Sequence, residues 1–262
     1  MSWVSSRTIS FAALLFSLAP VVTHAAWMPN GNAVGDVSIE QIHPHAFRDG
    51  RGGALVSWTE GFASRLQHFI ADGAYAPDWP SSGELVPPSQ SGFGPDRVRE
   101  AGAIADGSGG AFVALFYGTC GQSCNFDPGQ LLLQRVTASG SIAPGWLSSG
   151  VPLERPLVDA LIVDRLRLAP DGRRGVLVAW DNALKRYPQA PRLVATQRVS
   201  ADGTLLWGTD GVVCALGAAV IGAPALVADG EGGALVFWGT LDSATAMVTV
   251  RGQHISALGR VL

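Results

Sequence analysis

Charged residues are scarce in this 262-residue sequence, and lysine is almost absent. Asp, Glu, Lys and Arg make up 15% of the residues, and Lys185 is the single lysine. The formal net charge is −3 at pH 7, so electrostatics give no support for binding to nucleic acid or to an anionic membrane. Hydrophobic residues reach 47%, which argues against intrinsic disorder and for a packed domain.

Cysteine is scarce too, and the common catalytic motifs are missing. The chain has three cysteines: Cys120 and Cys124 in a Gly-rich stretch, and Cys214 in an apolar run. In an oxidising compartment, a Cys120–Cys124 loop disulfide is favoured over two free thiols. No second Cys pair supplies a zinc site, and GxSxG, HExxH and phosphate-binding glycine patterns are missing. We therefore predict no metal and no cofactor, and we assign no catalytic residue.

The N-terminus has the pattern of a signal peptide. Arg7 precedes the apolar stretch ISFAALLFSLAPVV, which leads to THA followed by Ala26. This stretch is too short to span a bilayer comfortably, and no later run approaches about 18 apolar residues. We predict a signal peptide over 1–25 and a mature domain over 26–262 with no stable membrane span. The protein is then secreted, periplasmic or at the cell surface.

Four segments of the mature sequence begin alike. Each has an Asp-Gly turn followed by a β-rich apolar run: FRDGRGGALVSW, IADGSGGAFVAL, LAPDGRRGVLVAW and LVADGEGGALVFW. Asp-Gly favours tight turns because glycine tolerates a positive φ. A second element, such as LVATQRVSADGTLLW, leads in the first three repeats to a tryptophan and a short tail. Each repeat thus predicts four short strands, and such a meander must stack on others to bury its faces.

The repeats predict an all-β fold, a β-propeller of about four degenerate four-stranded blades. They extend over about 37–86, 98–153, 162–214 and 222–262. The fourth repeat stops before a tryptophan and a final strand, and residues 27–34, WMPNGNAV, resemble that missing tail. We expect this segment to complete the last blade and close the ring, because closure removes two open sheet edges. The start of a longer array is the alternative.

The repeat also resembles a known class of proteins. Its D-G-x-G-G-A-x-V-x-W head, Q-R-V-x-A-x-G element and Trp tail resemble the repeats of secreted bacterial propeller-type proteins of poorly characterised function. Repeat two has Leu115 in place of the head tryptophan, repeat three has Arg174 where a glycine is usual, and repeat one has RLQHFI without a clear Q-R-V. The resemblance implies a propeller fold and export, and no particular activity.

The recurring tryptophans are interpreted as packing residues rather than as a platform for sugars, because they stand at equivalent positions in successive repeats. The head set comprises Trp58, Trp180 and Trp238, and the tail set comprises Trp79, Trp146 and Trp207.

Function is expected on the face that carries the second turns, whose loops vary while the first and third turns are short. The favoured hypothesis is a non-enzymatic exported module that binds an extracellular protein or glycan there. The alternative is an extracellular polysaccharide-acting hydrolase or lyase whose carboxylates converge from separate blades. The candidate ligand-binding residues are Glu60, Tyr117, Asp127, Asp181, Arg186, Tyr187 and Asp242.

The signal peptide gives the first testable prediction. Cleavage should fall near Ala25–Ala26, since small residues there follow the apolar stretch. Mass spectrometry of the exported fraction should then find a mature N-terminus close to Trp27. Full-length chain confined to the cytoplasm would contradict the prediction.

Overall fold

The protein consists of β-strands wherever the structure describes regular elements. The computed structural model describes residues 30–31, 33–35, 38–61, 63–86, 96–119, 130–153, 161–184, 192–217 and 220–262. The strands form four antiparallel sheets, which confirms the predicted all-β, propeller-type fold of four blades. Among the described residues, no helix is long and apolar enough to cross a membrane.

Each sheet is one blade, and its strands neighbour one another in chain order. Blade one contains β1 (Gln41–Arg48), β2 (Ala54–Glu60), β3 (Ala63–Phe69) and β4 (Glu84–Val86). Blade two contains β5 (Asp96–Ala105), β6 (Ala111–Thr119), β7 (Gln130–Val136) and β8 (Val151–Pro152). Blade three contains β9 (Leu161–Pro170), β10 (Val176–Leu184), β11 (Arg192–Val199) and β12 (Val212–Gly217). Blade four contains β13 (Val220–Ala228), β14 (Ala234–Asp242) and β15 (Met247–Ile255).

An aspartate at the first turn of every blade holds both the turn and the third strand. In blade three, Oδ1 of Asp171 accepts the backbone N–H groups of Arg173 and Gly175, both at 2.7 Å. Oδ2 of Asp171 accepts from Nε of Arg198 on β11 at 2.9 Å. The other blades repeat this arrangement with the pairs Asp49–His68, Asp106–Arg135 and Asp229–His254. The Asp-Gly sequence therefore fixes more than the turn, because its carboxylate also fastens a strand.

In blades one, two and three, a buried glutamine beside the basic residue fastens the tail loop. Nε2 of Gln197 donates to the carbonyl of Gly208 at 2.7 Å, directly after the tail tryptophan. Gln67 and Gln134 make the same bond to Pro80 and Leu147. Repeat one thus has the Gln element, with a histidine in place of the arginine. Its sequence RLQHFI departs from Q-R-V in letters but keeps both contacts.

The blades pack face to face through three apolar clusters. Successive residues of a strand point to opposite faces, so β6 sends Val113 and Leu115 toward blade one and Phe112 and Phe116 toward blade three. A third cluster joins blades three and four.

The head tryptophans Trp180 and Trp238 lie in these interfaces, and Trp180 has no exposed surface. Trp58 is buried on the other face of blade one, against Gly35 and Gly83. The interpretation of the head tryptophans as packing residues is confirmed.

The predicted ring closure is wrong for the described part of the segment 27–36. Blade four has three strands, and none of the described residues of this segment pairs with it. Instead, the carbonyl of Ala33 accepts a hydrogen bond from Tyr75 Oη in blade one at 3.1 Å. A Cβ built on Gly35 would come within 2.7 Å of the Trp58 ring. The tail pattern specifies a position within a blade, but it does not specify the strand with which the segment pairs.

The turn aspartate gives a stability prediction. In Asp171→Asn, the guanidinium of Arg198 keeps its charge at a site where its side chain is 7% exposed. Loss of one partner of a buried ion pair costs about 3–5 kcal/mol, so the melting temperature should fall by many degrees. The matched control is Asp202→Asn in the exposed third turn of the same blade. Equal melting temperatures for the two variants would contradict the role of Asp171.

Candidate functional site

The carboxylates that the sequence analysis proposed as ligand-binding residues have structural partners where the structure describes them. Glu60 is 4% exposed, and its Oε1 accepts from Nε of Arg65 at 2.9 Å. Its Oε2 accepts from the Gln41 amide at 3.1 Å. Asp181 has no exposed surface, and its Oδ2 lies 3.9 Å from Nη2 of Arg192. Both acids therefore stabilise the pairing of neighbouring strands near the second turn of their blades.

The remaining candidates are divided between an exposed turn and residues outside the described ranges. Asp242 is exposed and accepts the backbone N–H of Ala244 at 2.8 Å. This bond and a second one from Thr245 hold the pKa of Asp242 below its ordinary value. Tyr117 lies in β6 opposite Gln130. The candidates outside the described residues are Asp127, Arg186 and Tyr187, together with the predicted disulfide Cys120–Cys124.

Cys214 is the free thiol of the described chain and lies half-buried on β12. Burial raises its pKa to about 12, so it carries no thiolate at neutral pH. A reactive cysteine has a lowered pKa, and Cys214 is therefore a packing residue.

A cavity of about 660 Å³ lies between the first turns of blades one, two and three. We call it the turn cavity. Its lining comprises Arg48, Asp49, Gly50, Arg51, Ala105, Asp106, Gly107, Ser108, Arg135, Pro170, Gly172, Arg174 and Gly175. The short Asp-Gly turns bring these residues together, since each turn ends where a strand enters the stacked sheets. The cavity is thus on the face opposite to the second turns, where the sequence analysis expected function.

The two acids that line the turn cavity are fully engaged. Asp49 accepts from the backbone N–H of Arg51 at 2.7 Å and of Gly53 at 2.9 Å, and from Nε2 of His68 at 3.0 Å. Burial raises the pKa of Asp49, but these hydrogen bonds together bring it below its ordinary value. Asp106 is held likewise by Ser108 and Arg135, and its pKa is lowered despite burial. Both carboxylates are anionic at neutral pH.

Some of the arginines that line the turn cavity are not paired with a described carboxylate. Arg135 is paired with Asp106 at 2.7 Å. Arg51 is exposed and donates to the carbonyl of Ser108 in blade two at 3.1 Å. Arg48 and Arg174 are exposed, and neither guanidinium forms a hydrogen bond or an ion pair with another described residue. The cavity therefore offers guanidinium groups that have no carboxylate partner in the described part of the chain.

Arg174 adopts a backbone conformation that disfavours a side chain. Its φ is +69°, whereas the equivalent residues of the other blades are Gly52, Gly109 and Gly232, with φ between +93° and +96°. A non-glycine residue in the left-handed region costs about 1–2 kcal/mol. Such strained residues concentrate at functional sites. A long cationic side chain at a strained position in the cavity lining is the strongest local indication of a ligand site.

The chemistry of the turn cavity is that of anion binding. Guanidinium is planar, permanently charged and able to bind carboxylate or phosphate in a bidentate manner. No group of three or more His, Cys, Asp or Glu that could hold a metal ion occurs among the described residues. In the sequence, Arg174 stands out only as a departure from the repeat. That departure, together with Arg48 and Arg51 beside an Asp-Gly turn, is the sequence signal that points to this site.

Comparisons with known proteins give no family assignment. No family model and no curated protein matches the sequence. Among solved structures, an endo-1,4-beta-xylanase from Bacteroides thetaiotaomicron VPI-5482 matches with 10% identity and a TM-score of 0.43, over 87% of this chain and 76% of that chain. An endo-arabinase from the same organism matches with 11% identity and a TM-score of 0.46, over 87% and 81%. The family 43 glycoside hydrolase YxiA from Bacillus licheniformis matches with 12% identity and a TM-score of 0.34, over 88% and 68%.

Proposed function

We propose that the protein is an exported, non-enzymatic binding module that holds an acidic polysaccharide in the turn cavity. The observation that carries the proposal is a pair of exposed guanidinium groups, those of Arg48 and Arg174, which have no partner among the described residues and line a cavity of about 660 Å³. The carboxylates of an acidic glycan are planar and match a guanidinium in a charge-assisted, bidentate contact. The signal-peptide pattern supports an extracellular ligand of this kind.

The protonation state of the two acids that line the cavity supports binding rather than hydrolysis. Glycosidases need two carboxyl groups about 5–9.5 Å apart, one of which carries a proton to the leaving group. In the turn cavity, the pKa of Asp49 and that of Asp106 are both lowered, so neither acid is protonated at neutral pH. Each also has its oxygens occupied by hydrogen bonds within its own blade. These two acids therefore serve the fold.

The binding proposal predicts a polymer preference and a salt dependence. Purified protein should bind polygalacturonate in isothermal titration calorimetry and should not bind dextran, a neutral polymer. Because the contacts are exposed ion pairs, binding should weaken strongly in 1 M salt, where the Debye length is about 3 Å. Arg48→Gln and Arg174→Gln should each weaken binding by at least about tenfold, as loss of a charged hydrogen bond costs about 1.5–3 kcal/mol. Arg260→Gln, exposed outside the cavity, should bind as the unmodified protein does.

The same experiments contain the outcomes that would contradict the proposal. If all three variants bound polygalacturonate with equal affinity, the ligand would not bind in the turn cavity. Equal binding of dextran and polygalacturonate would exclude charge as the basis of recognition. Release of new reducing ends from either polymer would instead support a hydrolase or lyase.

Arg174 also gives a prediction that separates function from stability. Arg174→Gly removes the left-handed strain of about 1–2 kcal/mol, which offsets the entropic cost of a glycine, about 0.5–1 kcal/mol. The melting temperature should therefore stay constant or rise, while binding of polygalacturonate falls. Arg173→Gly is the control, because Arg173 donates to the Glu231 carbonyl of blade four and its loss should lower the melting temperature. A fall for Arg174→Gly would show that its side chain stabilises the fold.

A further inference from the structure

Blades one, two and three each dock their tail on the next blade in the same way. The indole N–H of Trp79 donates to the carbonyl of Ala138 at 2.8 Å, and that of Trp146 donates to the carbonyl of Ala201 at 2.9 Å. The indole of Trp207 makes the third such bond, to Ala257 at 3.1 Å. Four residues after each tryptophan, a glycine with φ between +70° and +83° turns the chain into the tail strand. The tail is therefore shared, since it pairs within one blade and docks on the following one.

Residues 30, 31 and 33–35, here called the tail segment, occupy this docking position on blade one. Gly31 has the positive φ of the tail glycines, at +88°, and stands four residues after Trp27 as Gly83 does after Trp79. Ala33 then corresponds to Leu85. Leu85 lines a cleft with Ile142 of blade two, and Ala33 accepts a hydrogen bond from Tyr75, the counterpart of Ile142. The tail segment thus lies on blade one in the position that the tail of blade one takes on blade two.

Blade four presents the opposite half of the same interface. Val250 on β15 is 78% exposed, whereas its counterparts Leu131 and Val194 have no exposed surface. Phe237 on the same face is 39% exposed, whereas its counterpart Ala114 is fully buried. In blades two and three, this face packs on the following blade. Among the described residues, the tail segment therefore pairs with no sheet, and the sheet of blade four has no tail strand beside β15.

We propose that a second copy of the chain joins these two halves. The exposed face of blade four packs on blade one of the partner copy, and the tail segment of that copy becomes the fourth strand beside β15. The tail segment of each copy lies on its own blade one, so the partner brings the docking face and the missing strand together. Reciprocal contacts close a two-fold ring of eight blades, and each junction repeats an interface that the chain already contains three times.

The register of the new strand pair follows from the existing blades. The residue six positions after the tail tryptophan pairs with Arg65 in blade one (Leu85), with Leu132 in blade two (Pro152) and with Ala195 in blade three (Val213). The equivalent residue of β15 is Arg251, since Trp58 pairs with Arg65 as Trp238 pairs with Arg251. Ala33 of one copy should therefore lie opposite Arg251 of the other.

Light scattering after size-exclusion chromatography tests the assembly. The purified protein should have twice the mass of the chain, and Val250→Arg should reduce it to the mass of one chain. The matched control is Leu216→Arg on β12, because Leu216 is 72% exposed and lies outside the proposed interface; this variant should remain a dimer. Far-ultraviolet circular dichroism establishes that both variants are folded. A monomeric unmodified protein, or a dimer unaffected by Val250→Arg, would overturn the proposal.

Disulfide trapping identifies which copy of the chain supplies the strand beside β15. Protein carrying only Ala33→Cys is mixed with protein carrying only Arg251→Cys and oxidised, with each variant alone as the control. A crosslinked dimer should form in the mixture and not in the controls. In a chain that carries both substitutions, an internal crosslink without dimer would mean that each tail pairs with its own blade four, and would overturn the proposal. Absence of any crosslink would exclude the predicted strand pair.

Discussion

The bond from each turn aspartate to a basic residue of the third strand is the interaction on which every blade depends. One carboxylate oxygen closes the first turn through two backbone N–H groups, and the other fixes the third strand from a distance of 2.7–3.0 Å. In blades one, two and three, the glutamine just before the basic residue then fixes the tail loop. A single carboxylate thus sets the positions from which the remaining contacts of the blade follow. Since the pair is largely buried in the inner blades, both partners are required together.

The same interaction explains why the first-turn face is cationic in a protein whose net charge is negative. The carboxylates of the turn aspartates are paired inside the blades, where backbone N–H groups and a basic side chain compensate their negative charge. Arg48 and Arg174 have no such partner among the described residues, so their charge remains available at the surface. Net charge therefore predicts little about this site. The charge exposed on the first-turn face depends on which charged groups are already paired within the blades.

The sequence predicted the fold well because the repeat places local signals in a fixed order. The Asp-Gly turns, the alternating strands and the tryptophan tails each report on neighbouring residues, and the four sheets follow from them. The partner of the tail segment could not be predicted in this way, because strand pairing between distant residues leaves no local pattern. The turn cavity was missed for a similar reason. Arg48, Arg135 and Arg174 come from three blades, and only the stacking of the blades brings them to one cavity.

Repetition also determines what happens at the two ends of a stack of blades. A repeated unit that buries one face on its predecessor and the other on its successor leaves one face of each kind at the ends. In this chain, the leading face is partly covered by the tail segment at Gly35, which lies against Trp58. The trailing face keeps exposed apolar residues such as Val250 and Phe237. Exposed apolar faces and open strand edges favour association. The two faces are complementary because neighbouring blades within the chain pack through the same pair of faces. Association of such ends therefore extends the stack with the interface already in use, and it needs no new kind of contact.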